Sequence, residues 1–296
     1  MKYEFMSHYK NEFSIEKMSK LFNISRSSYY QYIHAEPSAR SKENERLLGK
    51  IKVAHQASRE TYGSPRVHAE LGAQGETCSR KRVARLMREA GIAAKMKRRF
   101  KVTTKANPKA KAAPNLLKQD FTADVPNQRW VADFTYVATG EGWLYVAIVL
   151  DLFSRKIVGL SMEERMTADL VLKALEQAVL HRKPQPGLIH HSDKGSQYTS
   201  QDFQSLLAFY GVIASMSGVE NCFDNATAES FFHTLKTEHI YFEHYETRNQ
   251  AKRSIFEYTH IFYNGKRRHS TLGYLSPDRF EEQWYQKQNF QLPTVH

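Results

Sequence analysis

Cysteine is scarce in this chain: Cys78 and Cys222 are the only two among 296 residues. That is too few for a disulfide framework or for a four-ligand zinc site built on paired cysteines, so both are expected to be reduced thiols in or near a core. Long apolar runs are also missing. No stretch is long enough to span a bilayer, and no charged-then-apolar leader is present, so the expected setting is cytoplasmic, with no membrane partner. A third shortage is local. Residues 1–128 carry only 12 Asp and Glu against 26 Lys and Arg, a net of +14, whereas residues 129–296 carry 19 against 17, a net of −2. All of the positive excess is therefore amino-terminal, which suggests a basic front half that binds a polyanion and a near-neutral back half with another task.

The densest basic stretch runs from Arg80 to Lys111, with 13 basic residues and only Glu89 opposing them. A solvated charge run is the ordinary explanation, but so one-sided a run repels itself unless a polyanion is present, and nucleic acid is the favoured partner. Helical modules carry part of it. Ser14 can cap a helix with Ile15, Met18, Leu21 and Phe22 on one face; Asn23 breaks it, and Ser25 can cap a second helix through Tyr29, Tyr30 and Ile33. This makes residues 1–36 a candidate helix-turn-helix. Residues 37–94 form a second one. A helix is expected over 38–57, then a turn at Tyr62-Gly63-Ser64-Pro65-Arg66 in which Gly63 permits a left-handed conformation, Ser64 can cap and Pro65 opens a helix. A short helix around Val67 to Leu71 and another from Ser79 to Ala90 follow. The last carries Arg80, Lys81, Arg82, Arg85 and Arg88 as candidate DNA contacts over an apolar face of Val83, Leu86 and Met87. Residues 95–125, rich in Lys, Ala and Pro, read as a basic linker in which Lys97, Arg98 and Arg99 can lie along a DNA backbone.

The back half, 126–285, has a different grammar. Strand-like runs at 130–139, 143–153 and 155–163 are joined by corners short enough for consecutive antiparallel neighbours. A helix at 167–182, a strand at 187–191, a helix at 199–210, a strand at 212–216 and a helix near 225–239 follow, with a further helix at about 247–263 and a tail at 286–296. The order implies an α/β fold with a mixed sheet, as in RNase H-like proteins, preceded by all-helical DNA-binding modules.

Three acids stand out against this pattern. Asp133 interrupts an apolar strand, Asp193 ends another before the polar turn Lys194-Gly195-Ser196-Gln197-Tyr198, and Glu229 lies at the edge of a helical apolar face. Each has a plain structural explanation: an edge-strand Asp, a turn-forming Asp, a solvated Glu paired with Lys236 on one helix face. Together they suit hard cations such as Mg²⁺, which take oxygen ligands and keep waters, and hence two-metal phosphoryl transfer.

The wider pattern resembles a known family. Asp193 and Glu229 are separated by 35 residues, as in DD(35)E transposases and retroviral-type integrases. Five motifs in order are similar to the catalytic OrfB portion of the insertion-sequence-three family: Trp-x-x-Asp-x-Thr-Tyr at 130–136, Asp-Leu-Phe-Ser-Arg-Lys-Ile-Val-Gly at 151–159, His-Ser-Asp-x-Gly-Ser-Gln-Tyr at 191–198, Asp-Asn-Ala-x-Ala-Glu-Ser-Phe-Phe at 224–232, and Tyr-Asn-x-x-Arg-x-His-Ser-x-Leu-Gly-Tyr at 263–274. The Tyr62–Arg66 and Arg82–Met87 segments resemble the helix-turn-helix that precedes that core.

The resemblance implies a metal-binding catalytic triad of Asp133, Asp193 and Glu229 holding two Mg²⁺ ions, with Mn²⁺ able to substitute. It implies double-stranded DNA as substrate, both element terminal inverted repeats and target, and a bacterial, nucleoid-associated setting when DNA is bound. A homo-oligomer in the synaptic complex and a partner protein from an upstream frame are also implied. Lys194, Asn225 and Lys236 become candidate DNA contacts beside the acids, with Gln197 and Tyr198 shaping the turn and His191 either a neighbour of the site or a strand-end residue. Arg267 and Arg268 follow a helix end, where capping and DNA contact explain them equally well. The alternatives are a non-catalytic DNA-binding regulator, which has no need of three phosphate-repelling carboxylates, and an RNase H-like nuclease acting on RNA or Holliday junctions, which leaves two helix-turn-helix candidates unexplained.

Overall fold

The computed structural model describes residues 2–96, 113–218 and 225–291. Three short helices come first: α1 (Lys2–His8), α2 (Ile15–Phe22) and α3 (Arg26–His34). The expected caps form, with the Ser14 and Ser25 hydroxyls accepting from the Lys17 and Ser28 amides and Asn23 in the left-handed region at φ 52°. Their core is small, built on Met6, Met18 and Tyr29. Leu21, expected on the inner face, is instead 80% exposed. Helix α1 has no counterpart among the helices expected from the sequence.

The second unit comprises α4 (Ala39–Ala57), α5 (Ser64–Ala73) and α6 (Arg80–Glu89) around Leu47, Ile51, Tyr62, Val67, Leu71, Val83, Leu86 and Met87. Ser79 caps α6 through the Arg82 amide. The turn before α5 differs from expectation. Gly63 is the N-cap residue at φ −81°, not left-handed, and Ser64 already lies inside the helix, one residue too late to cap it. Pro65 fits the first turn because the amide it lacks has no intrahelical partner there. Cys78 is free and packs against this core; Cys222 falls outside the described residues.

The largest unit is a five-stranded sheet among the described residues: β1 (Arg129–Thr139), β2 (Gly142–Asp151), β3 (Ile157–Glu163), β4 (Ile189–Ser192) and β5 (Ile213–Met216), in the order β3-β2-β1-β4-β5. The first three strands run antiparallel, while β4 and β5 lie parallel to β1, each reached through a helix, α7 (Ala168–Arg182) or α8 (Gln201–Phe209). This is the mixed sheet expected of the RNase H-like arrangement. Strand alternation divides the two cores cleanly. Val131 and Val137 of β1 face α9 (Ala226–Glu238) and α10 (Arg248–Phe256), whereas Trp130 and Ala132 face α7 and α8.

Three expectations about boundaries need correction. The linker expected to end at 125 does so earlier, because Leu117 is buried in the core beside α9 and the Leu116 amide donates to Ser215 Oγ at 2.9 Å; Lys97, Arg98 and Arg99 lie outside the described residues. The helix expected over 247–263 starts as α10 but continues as a π-helical segment, Glu257–Asn264. There the Asn264 amide both donates to and accepts from the Ile157 backbone at 2.9 Å, acting as a substitute strand partner where β3 begins. Beyond the expected end at 285, α11 (Pro277–Gln291) runs on. It is held by Glu281, buried with the Ser154 hydroxyl at 2.6 Å and the Arg182 guanidinium at 2.7 and 2.8 Å.

One glycine fixes how closely α7 lies on β3. A Cβ on Gly159 would come within 2.1 Å of the Ala174 carbonyl oxygen, a backbone atom that cannot swing aside. Gly159→Ala is expected to destabilise the sheet unit by about 2–3 kcal/mol through overpacking, measured as a lower thermal midpoint; an unchanged midpoint would show that α7 can shift freely.

Candidate active site

Strand period decides where Asp133 points. With Val131 and Val137 it faces α9, and Thr135 lies on the same side two residues along. The Phe134 amide donates to Asp133 Oδ1 at 2.8 Å. The parallel pairing of β1 with β4 sets Val131 opposite His191, and the same register carried two residues further brings Asp193 alongside Asp133 just where β4 ends. Neighbouring strands are about 4.8 Å apart, so the two carboxylates are neighbours. Asp193 is held by the Gly195 amide, which donates to its Oδ1 at 2.9 Å. A Cβ on Gly195 would sit 2.9 Å from that same oxygen, so a larger residue there would push the Asp193 carboxylate out of its present position.

Glu229 is delivered by α9. Ala228, Phe231, Phe232 and Leu235 bury one face of this helix against the sheet and leave Glu229 at its exposed edge. The start of the helix is tied to β1 by the Asn225 side-chain amide, which donates to the Ala132 carbonyl at 3.1 Å, one residue before Asp133. Asn225 is buried, so its role in the fold is to register α9 on β1. Two turns past Glu229, Lys236 Nζ donates to Thr135 Oγ1 at 2.5 Å and lies 5.4 Å from the centroid of the Tyr136 ring. The ammonium thus stands over the strand that carries Asp133.

The electrostatics of the group are those of crowded acids. Burial and then the charge of Asp193 push Asp133 up to about 8, against the Phe134 amide that favours its ionised form. Burial raises Asp193, opposed by the Gly195 amide, while burial and Asp193 raise Glu229. Lys236 is lowered by burial, and the nearby Asp133 works against that shift. All three carboxyls therefore resist ionisation together, and a cation between them would relieve it. The donors are all oxygen, which suits a hard divalent ion. Among the described residues no three His, Cys, Asp or Glu side chains form a ready-made cage. Water or substrate oxygens would have to complete any coordination shell, as Mg²⁺ commonly requires.

Other candidates from the sequence lie elsewhere. His191 is buried and bonded through Nδ1 to Ser215 Oγ at 2.8 Å, which makes it a strand-to-strand tie. Tyr198 is 1% exposed and packs on Phe134 and Phe203 beneath the turn. Lys194 is half-buried in the turn after Asp193. Arg80, Lys81 and Arg88 are exposed along α6, but Arg82 is drawn in to Asn44 at 2.7 and 2.9 Å and Arg85 pairs with Glu89 at 3.2 Å. Arg267 is removed from the DNA-contact set, since it is 4% exposed and gives both arms of its guanidinium to Glu238 at 2.6 and 2.7 Å. Arg268 is likewise engaged, with Glu70 at 2.7 Å and the Tyr274 carbonyl at 2.8 Å. Two residues quoted only as letters of the motifs are given no role by the sequence. Thr135 could have been found from its two-residue spacing to Asp133. Arg155, whose guanidinium reaches Thr227 Oγ1 at 2.9 Å ahead of Glu229, leaves no local signal because its partner is 72 residues away.

The chain is similar to known proteins over most of its length. The chain matches the family model of an HTH-like domain over residues 42–100 and models of an integrase core domain over 123–222 and 229–285. It is 48% identical to the insertion element IS600 uncharacterized 31 kDa protein of Shigella sonnei over 91% of this chain and 99% of that protein. It is 41% identical to transposase InsF for insertion sequence IS3A of Escherichia coli strain K12, over 95% of this chain and 98% of that one. The catalytic core domain of BIV integrase aligns with a TM-score of 0.42 at 16% identity, over 55% of this chain and 99% of that chain.

The crowding has a measurable sign. Asp133 ionises near its ordinary 3.8 when unfolded and near 8 when folded, so the folded state loses stability as pH rises through that interval. Without divalent cations, the thermal midpoint of the parent chain relative to that of Asp133→Asn is expected to decline between roughly pH 5.5 and 8; the comparison cancels the buried His190, His239 and His269, whose downshifted rings add stability as pH rises toward 6.5. The variant should stand higher at the alkaline end by a few degrees, and added Mg²⁺ should raise the parent chain there. A difference that does not change with pH across this window would contradict the assigned burial and repulsion of Asp133.

Proposed function

The chain belongs to the IS3 family of DNA transposases, enzymes with an integrase-type core, and from that premise we propose that Asp133, Asp193 and Glu229 are its metal-binding catalytic triad. What supports this reading is that acids from a mid-strand position, a strand end and a helix edge act on one another: Asp193 and Glu229 on Asp133, and Asp193 on Glu229. The chemistry supplied by bound Mg²⁺, or by Mn²⁺ in its place, is activation of the attacking oxygen and neutralisation of the leaving one, shared between two ions.

The chain's own groups do the rest. The Gly195 amide holds Asp193 and the Phe134 amide holds Asp133, so neither carboxylate has to reorganise when substrate arrives. The Lys236 ammonium, fixed over β1 by Thr135, is placed to hold a phosphate oxygen of the scissile strand. In the first step a water oxygen attacks the phosphodiester at the element end and the departing oxygen becomes a DNA 3′ hydroxyl. In the second, that hydroxyl attacks a target phosphodiester, joining element to target and releasing a target 3′ hydroxyl. Each step forms one P–O bond and breaks another, so no covalent link to the protein is needed.

The helical unit of residues 37–94 is proposed to bind element-end DNA through the exposed basic side of α6. Each chain contributes one triad while transposition handles two element ends, so a homo-oligomer is the expected synaptic form. Two experiments test these assignments. Asp193→Asn should abolish cleavage and joining on element-end DNA while leaving binding largely intact; undiminished joining would sink the triad. Replacing Arg80, Lys81 and Arg88 with Gln should weaken binding and flatten its salt dependence, by about 0.9 in slope for each phosphate no longer neutralised. A slope identical to the parent would take α6 off the DNA.

A further inference from the structure

Two sequence motifs have no part in the site: Tyr62-Gly63-Ser64-Pro65-Arg66 in the helical unit and Tyr263-Asn264-Gly265-Lys266-Arg267-Arg268 after the π-helical segment. They meet each other. The Tyr62 hydroxyl donates to the Lys266 carbonyl at 3.2 Å and accepts from the Arg268 amide at 2.7 Å, and Tyr62 is 3% exposed. Glu70 of α5 pairs with Arg268 at 2.7 Å. Nearby, Arg59 pairs with Glu257 at 2.5 Å and lies 5.2 Å from the Phe262 ring centroid.

The centre of this joint is Glu238, the last residue of α9. Its carboxylate accepts two hydrogen bonds from Arg267, one from the Tyr258 hydroxyl at 3.2 Å, and one from Arg66 of α5 at 3.3 Å. Burial, the largest single influence, would raise this carboxyl, but the hydrogen bonds and charge of Arg267, the charge of Arg66 and the Tyr258 hydroxyl together outweigh it and hold it below the usual range. The same helix carries Glu229 nine residues upstream. Helix α9 is thus pinned at its start by Asn225 and Arg155 to the sheet, and at its end by a cluster that the helical unit completes. A helix of 13 residues clamped at both ends cannot roll, and roll about its axis is the motion that would carry Glu229 away from Asp133 and Asp193.

We propose that Arg66 and Glu70 are positioning residues for strand transfer: through Glu238 and Arg268 they lock the DNA-reading unit to the end of α9 and so hold Glu229 in register with the other two acids. This rests on the reading of Glu229 as the third acid. It makes the active site incomplete in its rigidity without the helical unit in place, and it gives the two unassigned motifs one shared task.

Arg66 is the separable link. Arg66→Met leaves the Arg267–Glu238 pair intact, so no buried charge is stranded, which is the usual reason such changes unfold proteins. In the full-length chain, R66M should keep the parent's affinity for element-end DNA measured without divalent cations, and its thermal midpoint to within a few degrees. Its joining rate should fall about tenfold and its half-saturating Mg²⁺ concentration should rise severalfold, a change that loss of DNA binding alone would not produce. Glu70→Arg and Arg268→Glu should each lower joining, and the two combined should restore at least half of it. Unaltered joining and Mg²⁺ dependence in R66M, or losses that follow DNA affinity alone, would overturn the joint's role. Glu229→Gln run in parallel separates the two readings: if it joins DNA normally, the triad itself fails, whereas an inactive Glu229→Gln beside a fully active R66M removes only the joint.

Discussion

The burial and crowding of Asp133, Asp193 and Glu229 are the constraint on which the rest of the architecture depends. Burial raises the resistance of all three carboxyls to ionisation, and for Asp133 and Glu229 the charge of a neighbouring acid raises it further. Such a group does not assemble from its own attractions, so each acid must be delivered by an element held in place by something else. The apolar contacts of β1 and α9 on one face of the sheet, and of α7 and α8 on the other, supply that support. The strain is then available for function, because a cation or a proton is what the folded chain lacks most at this point.

The topology follows from the same need. Placing β1 between β2 and β4 makes it the central strand of the five, and the change from antiparallel to parallel pairing on either side of it lets the end of β4 finish beside the middle of β1. Asp193 reaches Asp133 only because of that change. Helix α9 then crosses the face where Asp133 and Thr135 point, with Asn225 setting its start against Ala132 and Lys236 bridging to Thr135. The buried cluster at its far end, Glu238 with Arg267 and Arg66, extends the support into the helical unit. The basic front half and the near-neutral back half are thus mechanically joined as well as divided in charge.

Much of this was legible from local signals. Ser14, Ser25 and Ser79 announce helix starts because the cap is a contact within three residues. The alternation in β1 and β2 and the helical spacing in α7 are equally local, so strands and helices lie within a few residues of where the pattern places them. What escaped depended on distant partners. Ser64 resembles a cap but lies inside its helix, Leu21 resembles a core residue but faces out, and α11 is held by Glu281 meeting Arg182 across 99 residues. The residues of the proposed site were nameable from the motif pattern, yet whether Arg267 served DNA or the fold turned on Glu238, 29 residues away.

By itself, the sequence determined the division into a basic helical front and a near-neutral α/β back half, and most of the kinds and order of the elements, because these are written in composition and short-range periodicity; the three acids were singled out only through the resemblance of the ordered motifs around them. Only the tertiary structure decided which charges are free and which are bound to one another. Arginines such as Arg80 and Arg267 are chemically alike in the sequence, but one stands exposed on α6 while the other is buried against Glu238. A charge's role depends on what lies within a few ångströms of it, and that distance is set by how the chain packs.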